Sequence, residues 1–286
     1  MDKEIRKLPN TSINPPLQIL SLSEVSSQEL TVTPFLRDQK SIKLMAKQDR
    51  LALSAAATAV KEAGLTSEEL NSETGIYLTV GTLPFEETHL LTLAENSVAN
   101  GHFDMKRFST EGYNAMNPIL TFKCLPNMPI FHISYNLGIH GPYFITYPGP
   151  SQFFSAFEQA ITDLKVGRIR FALIGAIADQ ENFLVKHHVL RSGVRDEKLL
   201  KDVGAVMVVT LENKYSSKAR ITNFIQKYTP VDPFSLNYPK PFLHFKNSVG
   251  PAEPLLVIKE AVKRPKSRLE FCYEDGIEAS FEMEGQ

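Results

Sequence analysis

The segment RIRFALIGAI, residues 168–177, constrains the fold more than any other. From Phe171 to Ile177 it carries no polar side chain. A strand that alternates polar and apolar residues can keep one face in water. A strand apolar throughout must be covered on both faces, as happens in a sheet clad by helices. TGIYLTVGT, 74–82, repeats this pattern and ends in glycine. The chain must therefore also supply helices to cover such strands.

It does so on both sides of them. QKSIKLMAKQDRLALSAAATAVKEAGL, 39–65, is dominated by Ala, Leu, Lys and Glu, which are strong helix formers. Leu51, Ala55 and Ala59 share one face at i, i+4 and i+8, and the small alanines allow close packing on a sheet. Gly64 is placed as the helix stop. FEETHLLTLAENSVANG is expected to be a second helix with a glycine stop. Residues 113–142 are irregular through Pro118, Pro126 and Pro129, then helical over roughly 130–137. GPYFITYPGPSQFFSAFEQAI, 141–161, reads as a short strand, a tight Pro/Gly corner and a helix that runs to about residue 166.

LQILSLSEV, 17–25, is a candidate first strand. DVGAVMVVTLE, 202–212, and ARITNFIQKY, 219–228, are expected to form a strand pair joined by NKYSSK. TPVDPFSLNYPKPF, 229–242, is the best linker candidate. EPLLVIKEAVKR follows as a helix, then RLEFCYE and IEASFEM as a hairpin turned at Asp275-Gly276. This mixed order argues for an α/β layered fold. No internal repeat or low-complexity tract is visible.

Composition narrows the function. At 43% hydrophobic and 22% charged residues the chain is an ordinary globular protein. A net charge of −1 provides no overall field for nucleic acid or anionic membrane. No apolar run reaches the roughly 20 residues that span a bilayer. MDKEIRKLPNTSINPP has no apolar core for a secretory signal. Two cysteines, Cys124 and Cys272, make no disulfide framework or zinc spacing, and a cytoplasmic setting is expected.

The candidate chemistry is sparse. No phosphate loop, dinucleotide fingerprint, metal helix or calcium loop is present, so no cofactor is implied. Gly81 and Gly175, at the ends of apolar strands, read as turn glycines. His187-His188, after an apolar strand, would point to opposite sides of an extended segment and not chelate together. His132 and His140 bracket an apolar helix and read as buried, hydrogen-bonded histidines. Cys124, in a proline-flanked apolar stretch, reads as a small core residue. Phe224, Tyr228, Phe234, Tyr238, Phe242 and Phe245 form an aromatic cluster, either a partner surface or a cap packed over a core.

LPNMPIFHISYNLGIHGPYFITYPGPSQFFSAFEQAITDLKVGRIRFALIGA resembles the core of the β-ketoacyl synthases, condensing enzymes of the thiolase fold. The matching pieces are Leu125 to Met128, Leu137 to Pro142, Gly167 and RFALIGA, 170–176. RLALSAAATAVKEAGL resembles the family's first long helix, TGIYLTVGT the strand after it, and VGAVMVVTLE a later strand. The likeness spans roughly 40–213. It implies a thiolase-like layered fold (α/β/α/β/α) truncated in its second half. One domain over 1–286 is expected, with 1–213 as the first half and 214–286 as a reduced remnant.

The departures from the family carry the functional expectation. Aligned on Gly141-Pro142, the family's catalytic cysteine falls at Pro150, which has no nucleophile and no backbone N–H for an oxyanion. The family's HGT motif is absent. FKNSVGPAEPLLVIKEAV resembles the second histidine motif, with Pro251 at its histidine. The resemblance thus implies a silent partner of an active β-ketoacyl synthase, a chain-length factor in a type II polyketide or polyene pathway. Acyl carrier protein would be engaged through that partner. Phe144, Ile145, Thr146 and Tyr147 would pair antiparallel with the partner's equivalent strand. NAMNPILTFKCLPNM corresponds to the segment that closes the acyl tunnel. If it is helical, Met116, Leu120 and Cys124 share one face, as tunnel lining or as ordinary interface core. Two rival readings remain. One is a malonyl-carrier-protein decarboxylase using Gln152, two residues beyond the cysteine position. The other is a purely structural homodimer.

Overall fold

The computed structural model describes residues 11–191, 200–229 and 248–285. Its strands are β1 (Thr11–Ser26), β2 (Thr74–Val80), β3 (Val98–Ala99), β4 (His102–Phe103), β5 (Tyr143–Thr146), β6 (Phe171–Ala178), β7 (Val203–Thr210), β8 (Ala219–Tyr228), β9 (Lys266–Cys272) and β10 (Ile277–Gly285). Its helices are α1 (Lys47–Ala63), α2 (Ser67–Leu70), α3 (Glu87–Glu95), α4 (Met105–Arg107), α5 (Tyr113–Ala115), α6 (Leu120–Lys123), α7 (Met128–Leu137), α8 (Gln152–Lys165), α9 (Phe183–Arg191) and α10 (Glu253–Val262).

Eight strands join in the order β5-β2-β6-β7-β1-β8-β10-β9. The apolar runs β2 and β6 lie side by side, parallel to each other. β2 also pairs in parallel with β5 at the edge. Every residue of β2, β6 and β7 is buried, as unbroken apolar strands require. One side of this part of the sheet is covered by α1 and α7, which pack Leu51, Ala52, Ala55, Ala59, Ile130 and Ile133 against it. Alanine lets α1 approach closely: Ser21 and Ser23 on β1 donate 2.6 Å hydrogen bonds to the carbonyls of Ala59 and Ala55. A Cβ on Gly204 in β7 would come 2.7 Å from the Leu51 carbonyl. Gly64 ends α1 at φ +67°, as expected.

The opposite side is covered by α8 and α10, and these in turn support β8, β10 and β9. Phe154 lies 5.2 Å from Phe271 of β9, and Phe157 lies 4.8 Å from Phe224 of β8 and 5.0 Å from Phe281 of β10. The described part of 214–286 therefore shares one core with the first half. The layers run helix, sheet, helix, sheet, and β9 turns its charged residues Lys266, Arg268 and Glu270 outward. Among the described residues no further helical layer covers that face.

The long strand β1 joins the two parts of the sheet. Gln18 to Ser26 pair with β7, while Thr11 to Ile19 pair with β8. The β8 ladder shifts register between Ser12 and Leu17, where Pro15 and Pro16 remove two donors. The expected pairing of β7 with β8 is corrected here, since both pair with β1 inserted between them. Buried Gln18 holds their connection, donating to Asn213 and accepting from Ser217 and Arg220.

Other expectations also change. The helix of 39–65 is broken: a 3-10 turn over Gln39–Leu44 precedes α1. Gly101 is not a helix stop but lies in the turn of the β3–β4 hairpin, at φ +78°. Gly175 does not end β6 but sits within it, because a Cβ would meet Leu78 Cδ2 at 2.7 Å and Val206 Cγ2 at 2.9 Å. The hairpin at Asp275-Gly276 forms as expected, with Gly276 at φ +86°. The aromatic Phe224 is core and Tyr228 is exposed. Phe234, Tyr238, Phe242, Phe245 and almost all of the 229–242 linker lie outside the described residues. No described helix is long and apolar enough to cross a membrane.

Candidate functional site

Three parallel strands, β5, β2 and β6, end together, and the corner after β5 lies in that row. Thr146 at the end of β5 bonds to Thr79 Oγ1 of β2 at 2.8 Å and donates to the Gln152 carbonyl at 3.0 Å. The chain then turns through a cis Tyr147–Pro148 bond, Gly149 and buried Pro150. The carbonyls of Gly149, Pro150 and Ser151 accept from the N–H groups of Gln152, Phe153 and Phe154, closing the corner into α8. Ser151, buried at the head of α8, donates its hydroxyl to Asp275 at the tip of the β9–β10 hairpin. The second half of the chain thus holds the corner from behind.

Pro150 lines a cavity of about 340 Å³. Pro251, from the 3-10 turn Gly250–Ala252 ahead of α10, lines the same cavity. Gly81 after β2 brings these parts together. Its N–H donates to the Ile177 carbonyl at 2.9 Å, and a Cβ there would sit 3.7 Å from Pro251 Cγ. Gly250 has φ +47°, and a Cβ on it would collide with the side chain of Gln180. So two prolines 101 residues apart, singled out in the sequence because the resemblance aligns them with reactive side chains of the family, meet in one cavity. The rest of its wall includes Pro148, Leu184, Val185 and Val189, with Thr82, His188 and Ser248 as hydroxyl and imidazole groups. No thiol lines it, and Pro148, Pro150 and Pro251 offer no N–H to an oxyanion.

Of the other singled-out residues, Gly81 and His188 also line this cavity and the rest lie elsewhere. Gln152 opens α8 and is not among the residues lining the cavity. His187 and His188 lie on α9 rather than on an extended segment, because the apolar run is spent in β6 and the chain resumes as a helix. Successive helical residues still diverge by about 100°, so the pair does not converge. His140 is exposed, not buried. His132 is buried on α7, but its ring nitrogens have no hydrogen-bond partner.

Met116, Leu120 and Cys124 do not share a helix face. α5 ends before Met116, which is extended at φ −81°, ψ 145°, and the short α6 starts at Leu120 and is followed by Cys124. Pro118 lies between them and breaks the helix. Leu120 is buried and lines a second cavity near the N-terminus of α1. Burial and the nearby Asp49 raise the Cys124 thiol above its ordinary value, which makes it a poor nucleophile.

Sequence reasoning missed a polar cluster beside this second cavity. Lys47 bridges two buried acids, Asp179 after β6 and Asp202 before β7, each at 2.7 Å. Burial raises Asp179 to about 6 against the pull of Lys47. Two residues on, buried Asp49 accepts the Ala46 N–H at 2.7 Å and faces His132 Nε2 across 3.9 Å. Burial raises Asp49 to about 7 and lowers His132 to about 4. Lys47, Gln48, Asp49 and Arg50 look like a solvated helix start in sequence. Nothing there signals that the turn is buried.

At the edge, β5 pairs only with β2 among the described residues, leaving its outer hydrogen-bonding groups open. Tyr143 is 63% exposed, and Phe144 and Tyr147 are also exposed. On α7, Phe131 is 50% exposed and stacks on Tyr135 with ring centroids 6.0 Å apart. Phe122 and Leu125, just before α7, are exposed as well.

Residues 25–185, more than half of the chain, match the family model for the β-ketoacyl synthase N-terminal domain. No curated protein matches the chain in sequence. Solved structures match it in fold. One is a chain of AntDE:AntF, a type II PKS acyl-carrier protein in complex with its ketosynthase bound to the hexaketide. It has a TM-score of 0.70 and 13% identity over 95% of this chain and 99% of that chain. A β-ketoacyl synthase from Burkholderia phymatum STM815 gives 0.66 and 10% over 95% and 99%. The ishigamide ketosynthase/chain length factor gives 0.54 and 16% over 74% of this chain and 63% of that one. At these identities the likeness is one of fold.

Proposed function

The chain belongs to the β-ketoacyl synthase family and has its thiolase-like layered fold, and from that premise we propose that it is a non-catalytic, chain-length-factor-like partner of an active β-ketoacyl synthase. The pair would extend chains carried on an acyl carrier protein in a type II polyketide or polyene pathway. One observation carries this reading. Pro150 and Pro251, the positions aligned with the nucleophile and a catalytic histidine, line the same cavity, and neither offers reactive chemistry. A retained scaffold around a vacated reaction centre fits a protein selected for what it binds.

The open edge of β5 supports the partner. Unpaired strand edges in soluble proteins are covered or blunted. This one carries exposed Tyr143 and Phe144, aromatic residues of the kind that interface centres favour. An antiparallel strand from the partner, laid along Phe144 to Tyr147, would extend the sheet across the dimer. Met116, Leu120 and Cys124 would then bound the space near the joint and limit the acyl chain. The enzymatic alternative through Gln152 has no such support, since Gln152 does not line the corner cavity.

Co-expression with an active ketosynthase and a carrier protein tests the proposal. A one-to-one complex should co-purify and elongate the carrier-bound chain, while this protein alone does neither condensation nor malonyl decarboxylation. A chain that remains monomeric beside such ketosynthases, or that condenses or decarboxylates by itself, would sink it.

A further inference from the structure

The second cavity, about 430 Å³, is built differently from the corner. Met45, Phe85, Leu120 and Phe183 give it an apolar wall. Arg50 and Lys123, both half-buried, also line it. Among the described residues no carboxylate is hydrogen-bonded to either cation. Arg50 makes one long bond, 3.4 Å from Nη2 to the Met45 carbonyl, and its Nε is buried without an acceptor. His89 lines the same cavity with Nδ1 buried and unpartnered.

The acids nearby are otherwise placed. Asp179 is engaged by Lys47. Glu86, Glu87 and Glu181 also line the cavity but are exposed to solvent, which weakens them as partners. Asp49 lies within reach of both cations' charges, but burial holds it at about 7, which makes it a weak counter-ion. A half-buried guanidinium without an oxyanion is a costly arrangement unless something else supplies one.

We propose that this cavity binds an organic carboxylate with an apolar body, the carboxylate held by Arg50 and Lys123 and the hydrocarbon laid against Met45, Phe85, Leu120 and Phe183. Guanidinium and carboxylate match as planar two-point partners. The volume falls in the ordinary range for small-molecule sites. Phosphate alone would leave the apolar wall uncovered. All the residues come from one chain, and although Leu120 is shared with the acyl-limiting role proposed above, the site can be tested without the partner.

Titration calorimetry on the full chain decides it, with octanoate as probe, inorganic phosphate as the anion-only control and 1-octanol as the apolar-only control. Octanoate should bind saturably at one site, at least tenfold more tightly than either control. R50Q should weaken it by roughly tenfold or more, the effect of losing a charge-assisted hydrogen bond. K123Q should weaken it severalfold and is the deciding variant if R50Q fails to fold by circular dichroism. No saturable octanoate binding, phosphate binding as tightly as octanoate, or unchanged affinity in the folded variants would each overturn the site.

Discussion

Replacing Asp49 by Asn should change how stability depends on pH, in a direction opposite to the familiar acid effect. In the folded protein burial raises Asp49 from 3.8 to about 7. Between those values the folded chain keeps a proton that the unfolded chain has released, so stability falls as pH rises through the window. At 1.36 kcal/mol per unit this comes to about 4 kcal/mol. His132 does the reverse. Burial lowers it from 6.5 to about 4, so the unfolded chain holds the extra proton and stability rises with pH between 4 and 6.5, by about 3 kcal/mol. The two side chains face each other across 3.9 Å and together keep one proton through most of the range, whichever of them carries it. Unfolded, they also keep one. The pair therefore adds little net pH dependence, and removing one member exposes the other. Asn retains an acceptor for the Ala46 N–H. Urea unfolding of both proteins from pH 4 to 7.5 at fixed ionic strength should find D49N gaining on the parent by about 4 kcal/mol across the window. H132Q should lose about 3 kcal/mol relative to the parent between pH 4 and 6.5. A D49N-minus-parent difference that stays flat to within about 0.5 kcal/mol would mean that Asp49 titrates near its unfolded value, and the reasoning would be wrong.

Phe157→Ala removes a ring packed 4.8 Å from Phe224 and 5.0 Å from Phe281, and should cost about 3–5 kcal/mol in denaturant unfolding, because it links both halves of the core. Y143K with F144K, on the exposed strand, should shift stability by no more than about 0.5 kcal/mol yet abolish co-purification with the ketosynthase. P150C should not load an acyl group from a carrier protein, as judged by intact-mass measurement, if Pro251, which lines the same cavity, stands where the resemblance places a catalytic histidine. L120A should alter product length when the pair turns over, whereas a purely structural residue would alter only stability, by about 2–5 kcal/mol.

The layered fold was legible because its central strands are extreme. A run such as Phe171 to Ile177 has no alternative to burial on both faces. Pro150 and Pro251 stood out in the sequence only through resemblance, since a proline in isolation points to no chemistry. Pairing partners were not legible. Nothing local to β7 or β8 says that β1 must enter between them, because that choice is made by a strand near the start of the chain. The second cavity was hidden for a related reason. Arg50 and Lys123 have the spacing of surface residues, and only the approach of residues 84–89 and 179–183 around them makes a pocket.

The double pairing of β1 has a consequence for synthesis. Its Gln18 is held by residues 195 to 202 positions later in the chain. At ribosomal rates of about 5–20 residues per second, the strand waits roughly 10–40 s before either neighbour exists. During that time both of its edges are unpaired, although α1 is already available to cover one of its faces. The nascent chain should thus depend on a holding chaperone until β8 emerges, and a ribosome-stalled fragment ending before residue 200 should be captured by one, whereas one in which β10 has cleared the exit tunnel should be released.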